Sequence, residues 1–465
     1  MDNPMRLLPS IKQIQDSEIF RKWRSRQSVS DTYLTAVARK IVEQERKRLV
    51  NNQKIKERDA IYSHILSRFD EEMNQLTSPV LTTVVNGTGV ILHTNLGRAR
   101  LSDDAAEAVR QAASGYTNLE FNIDKGERGF RNEKIETLLT LITGAESAMI
   151  VNNNAAAVFL ILRAFAKNKE VIVSRGELVE IGGSFRVSSI MSESDARLVE
   201  VGTTNKTRVK DYADHLTENT AMLLKVHQSN FKMIGFTEAA SRKELAELAK
   251  KHGILLYEDL GSGALFNYHE EGIGEEPVIS DILEEGVDVL SASGDKLFGG
   301  PQAGIILGRK ELIDHLKKHQ LARAFRVDKM TLAALGATLQ SYLSEKKVKE
   351  IPTVRDITQK AEEIQARANL LKKKLAELPG FSIKVCDTTA FVGGGTLPDV
   401  RIKSFGLKIQ SELLKTNELA HLLRVGTPSV IGRLEEDYYI LDCCAMTEPE
   451  IERVYNAFLA LAAKL

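Results

Sequence analysis

Seven short runs dominated by Val, Ile and Leu, at 147–151, 171–174, 198–201, 222–226, 254–257, 287–290 and 305–307, recur with helical stretches such as 240–251 between them. Apolar runs that are continuous rather than alternating mark strands covered on both faces, and strands separated by helices pair in parallel. The expected fold class is therefore α/β, a mostly parallel seven-stranded sheet with helices on both faces. Ligands of such sheets bind beyond the carboxyl ends of the strands. The polar residues that end these runs are the candidates for chemistry.

The segments on either side read differently. Residues 1–75 are helical and rich in basic side chains. Arg21, Lys22, Arg24 and Arg26 flank the single tryptophan, Trp23, and Arg39, Lys40, Arg46, Lys47, Arg48, Lys54, Lys56 and Arg58 follow. This is either a surface that tracks a phosphate backbone or a solvated helical face whose Glu43, Glu45 and Glu57 pair with the bases. After the junction at Thr77-Ser78-Pro79-Val80 come the turn-rich stretch 86–98, a helix over 102–113, and a charged loop at 126–131 that is a substrate arm or a plain turn. Beyond the sheet, helices are expected at 330–346 and 354–377. A small α+β unit follows, with strands near 381–385, 399–402 and 438–441 and helices near 410–416 and 449–462. The division expected is 1–75, 76–330 and 331–465.

Lysine plus arginine (63) balances aspartate plus glutamate (63), so net charge does not by itself call for a nucleic-acid partner. Three cysteines without zinc spacing argue against metal chemistry and for a reducing compartment. No apolar run approaches the ~20 residues of a membrane span and no signal-peptide core is present, so a cytoplasmic protein without membrane association is expected.

Four strand ends carry the candidate site. At 287–304 a buried run stops at small residues, presents Lys296, and meets Gly299-Gly300-Pro301, which holds the lysine on a tight turn. A lysine at an interior strand end suits a Schiff base with the aldehyde of pyridoxal phosphate. Asp259 ends the 254–257 run, where its carboxylate needs a cation such as a pyridinium nitrogen; Lys296 is expected on the next strand but one. Asn153, Asn154 and Ala155 open an alanine-rich helix whose first N–H groups can hold a phosphate. His227 and Ser229 end the 222–226 run, where the imidazole reaches the ring or serves the structure alone, and the hydroxyl reaches the phosphate.

Across nearly the whole chain these segments resemble the bacterial selenocysteine synthases, L-seryl-tRNA(Sec) selenium transferases of the fold type I pyridoxal-phosphate-dependent family. The resemblance rests on LPSI near Leu8, NGTGVILHTNLGR at 86–98, GYTNLEFNIDKGERGFR at 115–131, NNNAAAV at 152–158, SRGELVEIGGSFR at 174–186, KVHQSNFKMIGFT at 225–237, EDLGSG at 258–263, SGDKLFGGPQAG at 293–304 and RAFRVDKM at 323–330. It implies that Lys296 carries pyridoxal 5'-phosphate as an internal aldimine and that Asp259 pairs with the ring nitrogen. It also implies that Arg98, Arg323 and Arg326 bind the phosphate of selenophosphate, and that Asp295 assists as a catalytic neighbour of the lysine. The implied reaction converts seryl-tRNA(Sec) to selenocysteinyl-tRNA(Sec) through β-elimination to an aminoacrylyl intermediate and addition of selenium. The implied partners are tRNA(Sec) charged with serine, bound by residues 1–75, and further copies of the chain in a dimer-based homo-oligomer, a homodecamer. Two rivals stand beside it: a related lyase acting on a small amino acid or sugar acid, and a non-catalytic tRNA-binding scaffold.

Overall fold

The computed structural model describes residues 7–26, 29–51, 57–178, 180–181 and 185–465. The chain divides into two compact units, Met1–Thr83 and Val84–Leu465.

In the first unit, helices Ile11–Gln15, Glu18–Ser25, Asp31–Asn51 and Arg58–Thr77 close on a core that includes Ile14, Phe20, Trp23, Ile41, Ile65 and Phe69. Ser10 and Ser17 cap the first two helices by accepting from Gln13 and Phe20 N–H groups. Trp23 is buried and its Nε1 donates to Asp70 Oδ1 at 2.7 Å, so the tryptophan belongs to this core rather than to a surface. Arg24, Arg46, Arg48 and Lys40 pair with Asp31, Glu43, Glu45 and Glu72. Lys22, Arg39 and Lys47 are exposed and make no ion pair among the described residues. Lys54 and Lys56 lie outside the described residues.

In the second unit all seven apolar runs join one sheet. Its spatial order is Ser147–Val151, Gly304–Gly308, Val289–Ser293, Leu255–Gly261, Thr220–Val226, Glu170–Ser174 and Arg197–Val201. Only Gly304–Gly308 runs antiparallel to its neighbours. The connection over 294–303 is too short for the crossover that a parallel pair requires, so the chain doubles straight back and leaves Lys296 on the turn. Successive side chains face opposite ways. Ile150, Ile172, Leu223, Leu256 and Leu290 fill one apolar layer, while Met149, Val171, Met222, Tyr257 and Val289 fill the other. Gly304 has to be glycine for a steric reason: a Cβ there would lie 2.2 Å from the Asn153 carbonyl oxygen.

A second sheet, wholly antiparallel, contains Phe381–Ala390, Ile402–Ser411, Tyr438–Asp442 and Arg433–Glu435 in that order. Several boundaries differ from expectation. The strand placed near 399–402 begins at Ile402 and pairs along its full length with Phe381–Ala390, absorbing the start of the helix expected at 410–416. The Ser411 hydroxyl then accepts from the Leu413 and Leu414 N–H groups, and the helix begins only at Thr416. The helix expected over 330–346 ends at Tyr342, because Ser344 starts a new turn by capping the Lys347 N–H. That over 354–377 is two helices, Pro352–Thr358 and Ala361–Leu375. The charged 126–131 loop is the return of a two-stranded hairpin, and Arg131 turns inward to Glu120 and the Val327 carbonyl.

The segment that leads to the site is tied down by a buried carboxylate. Asp442 is wholly buried and accepts from Thr388 Oγ1 (2.7 Å), Ser404 Oγ (2.7 Å) and Cys444 N (2.9 Å). Arg433 Nη1 lies 3.4 Å from it and donates to the Thr88 carbonyl at 2.9 Å. Next along the chain, Gly89 adopts φ +82°, and a Cβ there would meet Arg433 Nη1 at 2.5 Å. Asp442→Ala would leave the buried Ser404 hydroxyl, the Cys444 N–H and the half-buried Thr388 hydroxyl without their acceptor, while Arg433 keeps Glu435 and the Thr88 carbonyl, at about 1–3 kcal/mol. The full-length variant should show a free energy of unfolding in urea lower by that amount, with Asp442→Asn losing less; an unchanged value would remove Asp442 as an anchor.

Candidate active site

Four parallel strands end at one edge of the large sheet. The peptide after Ser147–Val151 turns at Asn152 into helix Asn154–Phe165. Asn153 caps it, its Oδ1 accepting from the Ala156 N–H at 2.9 Å. That leaves the N–H groups of Asn154 and Ala155 at the helix start without carbonyl partners inside the helix. The Asn154 side chain does something the sequence did not announce: its Nδ2 donates to Asp259 Oδ1 at 2.8 Å, so this amide serves the aspartate rather than a phosphate.

Asp259 is 3% exposed and Lys296 6%. Lys296 follows Val289–Ser293, which pairs directly with the Asp259 strand, so the two are on adjacent strands and not on strands one removed. Burial pushes the Asp259 carboxyl above its ordinary range, against the Asn154 hydrogen bond and the Lys296 charge. Burial pulls the Lys296 ammonium below its ordinary range; Asp259 opposes this shift and the Arg98 guanidinium adds to it. Each of the two is therefore within electrostatic reach of the other.

Arg98 and Asp295 complete that side. Arg98 has φ 60° immediately after Gly97 at φ 95°, a left-handed pair that bends the chain under the lysine turn. Its Nη1 donates to Asp295 Oδ2 at 2.9 Å, while the Ala99 N–H donates to the Asp295 carbonyl at 3.3 Å. Both side chains line a cleft of about 230 Å³ with Thr94 and Gln302. Arg323 and Arg326 are exposed and belong to a segment tied to the peptide before helix Asn154–Phe165, where the Asn152 N–H donates to the Phe325 carbonyl at 2.8 Å. No hydrogen bond or ion pair among the described residues joins either one to Arg98 or Asp295.

His227 follows Thr220–Val226; its N–H donates to the Asp259 carbonyl at 3.0 Å, and its carbonyl accepts from the Ser229 N–H at 2.8 Å. Ser229 is buried, and its Oγ lies 3.7 Å from where a Cβ on Gly261 would be. The ring of His227 meets Glu276, a buried residue in the 264–278 loop that no motif pointed to. The sequence offers little to single it out, since this loop holds two acidic pairs, Glu270-Glu271 and Glu275-Glu276, the second set before Pro277.

The residues present fit pyridoxal phosphate. Asn154 Oδ1 and Ser262 Oγ are buried without a partner among the described residues, and burial raises the Asp259 pKa, so that a further cation beside it would stabilise its charge. A helix start with N–H groups lacking carbonyl partners inside the helix, a strand-end aspartate and a buried amine are of the chemistry that would hold the phosphate, ring nitrogen and aldehyde of that molecule in turn.

A mostly parallel sheet with this strand order, bearing the lysine–aspartate pair at its carboxyl edge, is the fold type I architecture of pyridoxal-phosphate-dependent enzymes. The solved structure of D-glucosaminate-6-phosphate ammonia-lyase shares it with a TM-score of 0.58, at 22% identity over 84% of this chain and 98% of that one. A family model for L-seryl-tRNA selenium transferase matches residues 84–447. The L-seryl-tRNA(Sec) selenium transferase of Aquifex aeolicus is 43% identical over 455 residues, 98% of each chain. The protein of the same name from Clostridium perfringens strain 13 is 44% identical over 464 residues, 99% of each. The chain belongs to the L-seryl-tRNA selenium transferase family.

Proposed function

We propose that this protein converts seryl-tRNA(Sec) to selenocysteinyl-tRNA(Sec), exchanging the seryl oxygen for selenium supplied as selenophosphate. The observation that carries the reading is the Lys296–Asp259 pair on adjacent strand ends of a chain whose entire length matches transferases of that name. Pyridoxal phosphate supplies an aldehyde that a primary amine can capture and a ring that takes up the electron pair left when a Cα proton departs.

The chain's own side chains do the rest. Asp259, held by Asn154, sits as the counter-charge of a ring nitrogen. Asn153 fixes the helix start, and the N–H groups of Asn154 and Ala155 would receive the phosphate, with the Ser229 hydroxyl as a further donor. Lys296 Nζ, which burial keeps poorer in protons than an exposed lysine, removes the Cα proton of the seryl group. Asp295 accepts from Arg98 and orients its guanidinium. Arg98, Arg323 and Arg326 bind the selenophosphate dianion, for which planar, permanently charged forks are well suited. Residues 1–75 contact the tRNA through exposed bases such as Lys22, Arg39 and Lys47, since phosphate contacts need positive charge without base reading. The protein acts in the cytoplasm as a homo-oligomer built from dimers, with ten copies expected from the family resemblance.

Purified protein loaded with pyridoxal phosphate should form selenocysteinyl-tRNA from seryl-tRNA(Sec) and selenophosphate, and failure to do so would overturn the reading. Arg323→Ala should retain cofactor and loss of the seryl hydroxyl, yet need at least ~10-fold more selenophosphate, as expected when one charge-assisted phosphate contact is removed. Equal loss in both half-reactions would exclude Arg323 from the donor site.

A further inference from the structure

The Glu276 side chain is only 4% exposed, and a carboxylate so placed costs free energy unless a donor meets it. Its partner is His227 Nε2, at 3.1 Å. His227 is in turn fixed through its backbone, which donates to the Asp259 carbonyl at 3.0 Å, so two independent ties set the direction of the ring. The Glu276 charge also reaches Lys296, where it favours the protonated amine. Both members of the pair line a cleft of about 340 Å³ at the carboxyl ends of the strands, together with the ion pairs Lys225–Glu177 and Lys232–Asp399. Those two lysines are thus already matched by other carboxylates, while the histidine is matched by Glu276.

Imidazole has two nitrogens with distinct tasks. With Nε2–H donating to a carboxylate, the neutral ring carries its lone pair on Nδ1, and Nδ1 has no hydrogen-bond partner among the described residues. A carboxylate that binds the far nitrogen of a metal-ligating histidine fixes both tautomer and ring orientation, and its loss costs ~10–100-fold in metal affinity or activity; the same tie orients an imidazole that holds no metal.

The geometry points to Glu276 as a positioning residue: it holds His227 through Nε2 so that Nδ1 is the nitrogen presented to the cofactor and the seryl group. Glu276 acts on the site chiefly through the imidazole it holds, beside the through-space effect of its charge on Lys296. The inference rests on the function proposed above for the choice of ligand, but the pairing it asserts belongs to this chain alone.

A double-mutant cycle tests it, read on equilibrium binding of pyridoxal phosphate to the apo-protein and on loss of the seryl hydroxyl. Glu276→Ala alone should weaken cofactor binding and slow the half-reaction by ~10–100-fold, and the isosteric Glu276→Gln, which still accepts a hydrogen bond, should restore part of both. Introduced into a His227→Gln background, Glu276→Ala should cost markedly less than in the wild type, the remainder being the loss of its charge near Lys296. An equal cost in both backgrounds, or no effect of His227→Gln on either readout, would overturn the inference; Glu276→Gln keeps the test valid if the alanine variant folds poorly. Absence of selenium incorporation by the wild-type protein, with the coupling on cofactor binding intact, would overturn the proposed function and leave the Glu276–His227 pairing standing.

Discussion

Lys296→Ala is expected to lower turnover by at least ~10³-fold, beyond any other single change in the site. The lysine has two tasks, as the amine that captures the cofactor aldehyde and as the base at Cα; base catalysis alone is worth ~10²–10⁴-fold. Borohydride reduction of the wild-type protein should fix one pyridoxyl group to the peptide bearing Lys296, and recovery of the label on another lysine would overturn the assignment. A stability effect should accompany the loss of activity. Burial holds the folded-state pKa of Lys296 below the ordinary 10.5. Between those two values the unfolded chain binds a proton that the folded chain does not, so apo-protein stability rises as pH is raised through that window and falls as it is lowered. The difference in urea midpoint between wild type and Lys296→Ala should therefore shift in favour of the wild type as pH rises toward 10.5. A difference constant with pH would mean that the amine is solvated.

Asp259→Asn should lower turnover ~10²–10³-fold, the scale on which removal of one preorganised charge from a water-excluded site is felt. The amide that replaces the carboxylate can still accept from Asn154 Nδ2, so the helix start and the strand end keep their geometry. What disappears is the negative charge opposite the ring nitrogen, and with it the preference for the protonated ring that withdraws electrons from Cα. Cofactor should remain bound and trappable on Lys296 while loss of the seryl hydroxyl slows. The measurement is the rate of that step against the amount of cofactor held, and a variant that works at the wild-type rate would show that Asp259 is not beneath the ring nitrogen.

Much of this was legible in the chain itself because burial leaves a local signature. The seven apolar runs are continuous since helices cover both faces of the sheet, and every one of them is a strand of that sheet. Lys296 and Asp259 stood out for the same reason: a charge at the end of such a run is too costly to be incidental. Signals failed where a local pattern has more than one solution. A helix over 410–416 and a strand reaching Ser411 are both allowed by composition, and pairing with Phe381–Ala390 decides for the strand. The unbroken helical pattern of 354–377 does not show that Gln359 is drawn out to the Asp356 and Cys444 carbonyls. The arginines around Trp23 say nothing of its surroundings, which the fold decides: Asp70, 47 positions away in the chain, accepts from its Nε1 and the ring lies in the core.

Residue type and order alone determined that the chain builds a two-faced sheet, that a lysine and an aspartate stand at its edge, and that an asparagine caps the helix after its first strand, because each of these is a cost or pattern confined to a few neighbouring residues. Only the tertiary structure decided that Asn154 serves Asp259, that Arg98 bends left-handed onto Asp295, that Glu276 holds His227, and that Asp442 anchors the segment leading to the site. Each of those links joins residues far apart in the chain, and a hydrogen bond across such a distance leaves no trace in sequence until the backbone has brought its two ends within 3 Å or so of one another.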